Sequence, residues 1–277
     1  MTSIADENAT GMEVSVACVT DVGRVRSGNE DAFIVAELND KGVKAITGDL
    51  DSYRIGPGGL LLAVSDGMGG AQAGEVASRL GIEQLMRRLG APAQKESVAD
   101  RLCDGLNSAN RAIKHASLKN PAFSGMGATM TAALIYQGQA YLGQVGDSRC
   151  YLIRAGQVQQ VTKDQSLVQL MVDTGLMTKE QAAQSPKRHV ILQVLGVRDE
   201  IEPEVSAVPL AHDDYLLLSS DYLMQKVSDS EMWEVINRAS TLNAACVELV
   251  ALANGRGGDD NITVIVARFS ETRTKKQ

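Results

Sequence analysis

Histidine and cysteine are scarce in this chain of 277 residues, which has three histidines and four isolated cysteines, Cys18, Cys103, Cys150 and Cys246. Zinc sites need these residues in clusters or CxxC pairs, so no zinc site is expected and the cysteines read as reduced core thiols. Aromatic residues make up 4% against 44% hydrophobic, which leaves Ala, Val, Leu and Ile to build the core. A cationic surplus is also missing: 27 Lys and Arg stand against 34 Asp and Glu, a net charge of −7 that excludes broad nucleic-acid binding. No apolar run reaches membrane-spanning length, and no basic stretch followed by an apolar one opens the chain, so a soluble, cytoplasmic protein with no membrane partner is expected. There is no Gly-Lys-Ser/Thr phosphate loop and no G-x-G-x-x-G, which argues against a nucleotide cradle. Six scattered prolines and the lack of repeats or a linker point to one domain over 13–270, with flexible tails at 1–12 and 271–277.

Short β-branched and apolar runs predict strands at Val14–Val19, Ala32–Ala36, Leu60–Ser65, Ala128–Tyr136, Ala140–Val145, Cys150–Ile153, Tyr215–Ser219 and Ile262–Phe269. Val98, Leu102, Leu106, Ala109, Ile113 and Ala116 recur at helical spacing and predict a long amphipathic helix. Similar stripes cover Glu75–Leu89 and Leu242–Ala253. Strands and helices do not alternate one to one, so an α+β architecture with helices layered over sheet is expected.

Acidic residues sit where predicted strands meet loops. Asp66 follows Leu60–Ser65, Asp147 follows Ala140–Gly146, Asp221 follows Tyr215–Ser220, Asp260 precedes Ile262–Phe269, and Glu30-Asp31 precede Ala32–Ala36. Any one of them can be a turn former. Together they allow a second reading, in which a rigid scaffold presents them to one cleft. Carboxylates converging there repel by about 4 kcal/mol per pair at 4 Å and an effective dielectric near 20, a cost that divalent cations offset. An all-oxygen donor set selects hard ions such as Mg²⁺ or Mn²⁺. Asp66-Gly67-Met68-Gly69-Gly70 adds a turn whose carbonyls can approach a metal closely.

Six segments, in this order, resemble the metal-dependent protein phosphatases of type 2C in their compact bacterial form. They are Thr20-Asp21-Val22-Gly23-Arg24-Val25-Arg26-Ser27-Gly28-Asn29-Glu30-Asp31, Val64-Ser65-Asp66-Gly67-Met68-Gly69-Gly70 with Gly74-Glu75, Gly127-Ala128-Thr129, Val145-Gly146-Asp147-Ser148-Arg149, Leu217-Leu218-Ser219-Ser220-Asp221 and Asp259-Asp260-Asn261-Ile262-Thr263-Val264-Ile265. One segment alone is a weak signal; six in family order are specific, and they span Val14 to Phe269.

The resemblance implies a four-layer α-β-β-α sandwich, two packed antiparallel sheets flanked by helices. It implies two core Mn²⁺ or Mg²⁺ ions and a third, weaker one. Asp66 would bridge the core pair, with the Gly67 carbonyl on one ion and Asp221 and Asp260 on the other. Glu30 and Asp31 would hold metal-bound waters, Asp147 would serve the third ion, and Arg26 would grip the substrate phosphate with its planar fork of donors. The implied activity is hydrolysis of phosphoserine and phosphothreonine in proteins by a metal-bridged water, opposing a bacterial Ser/Thr kinase. Phosphorylated proteins and a cognate kinase are the expected partners of a monomeric enzyme. The alternative is a pseudophosphatase that binds phosphoproteins with weakened catalysis.

The chain departs from the pattern in three places. Met68 stands where some members have His, which assigns leaving-group protonation to a metal-bound water. The flap region, about 162–196, has Gln165, Ser185 and Gln193 where the family often has His, His and Arg; it keeps Pro186-Lys187-Arg188, and His189 is expected at the surface. Tyr222 replaces the glycine usual after Asp221. Either its backbone is strained at positive φ, or the ring leans across the cleft rim; the undisturbed pattern on both sides favours the rim.

Overall fold

The computed structural model describes residues 12–91 and 96–271. In chain order the strands are β1 (Met12–Asp21), β2 (Asp31–Asn39), β3 (Gly42–Ala45), β4 (Leu50–Arg54), β5 (Leu60–Met68), β6 (Gly127–Ala128), β7 (Met130–Tyr136), β8 (Gln139–Val145), β9 (Arg149–Arg154), β10 (Gln157–Gln160), β11 (Glu204–Pro209), β12 (Tyr215–Ser219) and β13 (Ile262–Glu271). The helices are α1 (Ala71–Leu89), α2 (Val98–Lys119), α3 (Leu167–Asp173), α4 (Lys179–Gln184), α5 (Asp221–Lys226), α6 (Asp229–Arg238) and α7 (Leu242–Gly255).

Two antiparallel sheets form, one ordered β10-β9-β12-β13-β1-β4 and the other β11-β8-β7-β5-β2-β3, with β6 beside β5. Central strands are buried on both faces, which explains why they read as continuous apolar runs rather than as alternating ones. In β5, Leu60, Leu62 and Val64 face the other sheet, whereas Leu61 and Ala63 face α1 and α2. In β13, Ile265, Ala267 and Phe269 join the core between the sheets, and Ile262, Val264 and Val266 pack under α5, α6 and α7. The four expected layers follow directly from these three cores.

The four strands that the sequence did not announce, β3, β4, β10 and β11, are the four sheet edges. Edge strands bury little and carry polar residues, so their hydrophobic period is faint. The predicted strand Ala128–Tyr136 is interrupted at Thr129, where backbone and side chain both turn to serve Asp66. α2 starts at Val98, the first residue of the predicted stripe, and Ser97 caps it, its hydroxyl accepting the Asp100 amide at 3.1 Å. α1 starts four residues before the predicted Glu75, because it springs from Gly70 at φ 90° with no capping side chain to mark it. The tails expected at 1–12 and 271–277 lie outside the described residues apart from Met12 and Glu271, which pair with each other across β1 and β13. No helix among the described residues is long and apolar enough to cross a membrane.

Gly143 in β8 lets α2 seat on its sheet: a Cβ there would stand 2.9 Å from Leu102 Cγ and 2.9 Å from Leu106 Cδ1. Gly143→Val should therefore overpack this layer and destabilise the fold by about 1–3 kcal/mol, read as a lowered urea midpoint at unchanged slope. An unchanged midpoint would show that α2 yields freely.

Candidate active site

Every sequence-predicted site residue arrives at one end of the sandwich. Asp31 opens β2 and is paired in register with Asp66 near the end of β5. Asp147 lies in the turn from β8 to β9, Asp221 opens α5 directly after β12, and Asp260 lies just before β13. Glu30 precedes β2, and its carbonyl accepts the Gly67 amide at 3.2 Å. Arg26, in the loop before Glu30, donates to Asp260 Oδ2 at 2.8 Å.

Two glycines make the approach possible. A Cβ on Gly67 would lie 2.1 Å from the Gly74 carbonyl oxygen, and one on Gly74 would lie 1.8 Å from Glu30 Oε2. The Gly67 backbone, the start of α1 and the Glu30 carboxylate thus share a space too small for any side chain. Gly74 was visible in the sequence pattern, but its function is to leave room for Glu30.

Around the acids runs a buried polar scaffold whose members appear in the sequence motifs without an obvious task. Asn261 accepts the Glu30 amide at 2.8 Å and donates to the Val22 and Gly28 carbonyls at 2.9 and 3.0 Å. Ser220 donates to Asp31 Oδ2 at 2.8 Å and accepts the Thr263 amide at 3.0 Å. Thr129 accepts the Asp66 amide at 3.0 Å and shares a 2.8 Å hydrogen bond with Ser148. Motif membership was the available signal for all three; their partners, far away in sequence, were not legible.

The electrostatics are those of buried acids crowded against one another. Burial, and then the nearby Asp221 and Asp260, push Asp31 up to about 7 against the pull of Thr263 and Ser220 hydrogen bonds. Burial and the charges of Asp31, Asp221, Asp147 and Asp260 push Asp66 well above the carboxylate range. Asp147 is pushed up to about 8 by burial, then by Asp221 and Asp164. Burial and Asp260 raise Asp221, with His189 opposing. Glu30 is raised by burial, and Arg26 opposes.

Among the described residues no three of these side chains close into a finished metal cage. Instead three of them turn an oxygen to a protein donor: Asp260 to Arg26, Asp221 to Gln225 at 2.7 Å, and Asp31 to Ser220. Asp31 Oδ1 is buried with no hydrogen-bond partner among the described residues. An orphaned carboxylate oxygen, a glycine-lined cradle and an all-oxygen donor set fit hard divalent cations, whose positive charge removes the penalty that raises these pKa values.

Tyr222 corrects the sequence reading. Its φ is not positive, and its ring does not lean over the cleft: it sits inside α5, 4% exposed, in the core beneath α7. Its hydroxyl donates to Asp259 Oδ2 at 2.9 Å and accepts the Asp259 amide at 2.8 Å. The side chain therefore anchors the turn that carries Asp260. The expectation failed because glycine's neighbours in sequence reveal nothing about which way a helical Cβ points. His189 is exposed as expected, yet it borders the same cavity as Asp147 and Asp221.

Comparison with known proteins agrees with the geometry. Residues 47–250 match the protein phosphatase 2C family. The serine/threonine phosphatase Stp of Listeria innocua is 34% identical over 89% of this chain and 92% of its own length. The crystal structure of the Mycobacterium tuberculosis serine/threonine phosphatase PstP/Ppp superposes with a TM-score of 0.79 at 34% identity, covering 94% of this chain and 100% of that one. A structure of the PstP catalytic domain in complex with two manganese ions matches with a TM-score of 0.76 at 33% identity, over 94% of this chain and 100% of that one.

Two outcomes are expected from this geometry. Raised carboxylates bind more protons folded than unfolded, so in EDTA their contribution to stability is present below the ordinary carboxylate range and is lost as pH rises through about 7 to 8, the values of Asp31 and Asp147. The melting temperature in EDTA should fall over that window, and Mn²⁺ should raise it most at the alkaline end; a flat profile in EDTA would contradict the crowding of the acids. Tyr222→Phe strands the Asp259 amide and should cost about 1–3 kcal/mol, with weaker Mn²⁺ binding by calorimetry because the Asp260 turn loosens. Unchanged stability and Mn²⁺ affinity would remove Tyr222 from this role.

Proposed function

The chain belongs to the protein phosphatase 2C family and is a serine/threonine protein phosphatase, and we propose that it works as a Mn²⁺- or Mg²⁺-dependent hydrolase of phosphoserine and phosphothreonine in proteins, opposing a Ser/Thr kinase. One observation carries the metal dependence: five buried or half-buried acids converge with one carboxylate oxygen, Asp31 Oδ1, left without a hydrogen-bond partner among the described residues. Asp66, the Gly67 carbonyl, Asp221 and Asp260 would hold two core ions, Glu30 and Asp31 would support their outer ligands, and Asp147 would serve a third. The ions, when bound, would supply an activated water and neutralise the phosphoryl oxygens.

The remaining work falls to the chain itself. Arg26, half-exposed at the mouth with a guanidinium 2.8 Å from Asp260, has the charge and the planar donors to orient a phosphate beside the acids. The rigid Glu30–Asn261 and Asp31–Ser220 links hold the donor set in place before substrate arrives, so little reorganisation accompanies the reaction. Met68 stands exposed where an imidazole would be needed for proton donation by that residue, so the side chain at this position takes no part in proton transfer. The complete set of acids favours turnover over a pseudophosphatase, which would bind phosphoprotein without releasing phosphate.

The deciding experiment is hydrolysis of p-nitrophenyl phosphate and a phosphothreonine peptide with Mn²⁺, Mg²⁺ or EDTA. Activity should require a divalent ion, and Asp66→Asn and Asp260→Asn should each lower kcat by about a hundredfold or more, the scale of a lost electrostatic group. Full turnover after exhaustive chelation would sink the metal reading. Arg26→Ala should raise KM by more than it lowers kcat, because a phosphate grip acts in both ground and transition states; a loss confined to kcat would assign Arg26 to the chemical step instead.

A further inference from the structure

Beside the acids a cavity of about 660 Å³ opens between the flap helices α3 and α4 and the helix α5. Its inner wall carries Asp147 and Asp221, and its outer wall carries Lys179, Arg188, His189 and Lys226. Several of the wall charges are already matched. Arg149 clasps Asp164 with a closest approach of 2.6 Å, and Lys226 lies 3.2 Å from Asp259. Lys179 and Arg188 form no ion pair with a described carboxylate. Arg188 makes only a long 3.5 Å contact to the Ser185 carbonyl. If Asp147 and Asp221 serve metal ions, the outer wall is left with an excess of positive charge facing an open, peptide-sized space.

We propose that this cavity is a specificity subsite for an acidic residue, Asp, Glu or a second phosphorylated side chain, on the same peptide as the phosphoserine or phosphothreonine being hydrolysed. The proposal rests on the phosphatase reading above. Register follows from size: a space of this volume is roughly 9 Å across, and an extended peptide advances about 3.3 Å per residue, so the acid lies two or three residues from the reacting one. The chemistry of the wall selects the ligand. Lys179 and Arg188 are exposed, solvated cations that gain from an anion only at close range, because charges at the surface are screened beyond about 8 Å at physiological salt. Neutral flanking residues can gain only from the apolar part of the wall, Val168, Val172, Ala182, Ala183 and Met224, and form no ion pair, while basic ones are opposed by the cations. The subsite thus discriminates between phosphoproteins without touching the reacting phosphate.

The test uses phosphothreonine peptides in which one Glu is moved through the positions within three residues on either side, against an all-Ala-flanked peptide. Two exposed ion pairs are together worth up to about tenfold, so kcat/KM for the best-placed acid should exceed the Ala peptide by several-fold to about tenfold. The double variant Lys179→Gln, Arg188→Gln should bring that ratio close to one and leave p-nitrophenyl phosphate turnover unchanged. High salt should shrink the ratio in the unaltered protein only. A ratio near one in the unaltered protein, or one that survives in the double variant, overturns the subsite. Anisotropy measurements of the same peptides binding to Asp66→Asn read the acid preference without turnover. If no phosphate is released from any substrate while that preference persists, the hydrolytic reading fails and the subsite stands.

Discussion

Carboxylates a few ångströms apart in a half-dry cleft repel by about 4 kcal/mol per pair at an effective dielectric near 20, and a fold that assembles five or six of them must hold each against the others. Here the force is carried by backbone, not by side-chain packing. Asp31 and Asp66 are fixed by adjacent strands in register, Asp221 by the first turn of a helix, and Asp260 by a turn tied down on both sides. Arg26 and Gln225 each take one carboxylate oxygen, but one buried oxygen of Asp31 is left without relief. The strain remaining among the acids is electrostatic and sits on a frame fixed by backbone.

The same constraint explains why the site is wired through the whole chain. Asn261 reaches Glu30 across 231 residues of sequence, and Ser220 reaches Asp31 across 189. Such links place the first and last strands side by side, and β1 and β13 do pair along their full length. A cleft made from strand ends cannot assemble before both sheets do, so the stability of the site and of the sandwich are one quantity. Buried polar links of this kind are costly when incomplete, which is a reason for all of Asn261's side-chain groups to be occupied.

Sequence patterns carried the centre of this structure well and its margins poorly. Runs such as Leu60–Val64 and Ile262–Phe269 announce themselves because both faces are buried, and α2 because its apolar stripe recurs at helical spacing over its whole length. The edge strands β3, β4, β10 and β11, and the short helices α3, α4 and α5, bury too little to leave a period. At the site, the acids were legible because their chemistry is unusual at strand ends. The direction of Tyr222 was not, since it depends on where the Asp259 turn lies in space. A motif position usually filled by glycine suggested crowding, but the helix turned the ring away from the cleft and into the core.

The flap shows how a variable segment can be coupled to a fixed site. Gln165, where the family pattern often has His, bonds the turn before Asp147 twice: its amide donates to the Gly146 carbonyl at 2.8 Å, and its side-chain oxygen accepts the Gly146 amide at 3.0 Å. The same side chain donates to the Glu202 carbonyl at 3.0 Å, which Gln193 also reaches at 3.2 Å while accepting the Glu202 amide at 2.8 Å. One residue further on from Asp147 and Ser148, Arg149 holds Asp164, the neighbour of Gln165. The base of the flap is therefore fastened to the Asp147 turn from both sides by neutral amides and one ion pair. Neutral amides keep their hydrogen bonds whatever the charge on the acids beside them, whereas a histidine there would titrate with the site. Gln165 and Gln193 thus connect flap and Asp147 mechanically without adding charge, and the cations that line the cavity without an ion pair are Lys179 and Arg188.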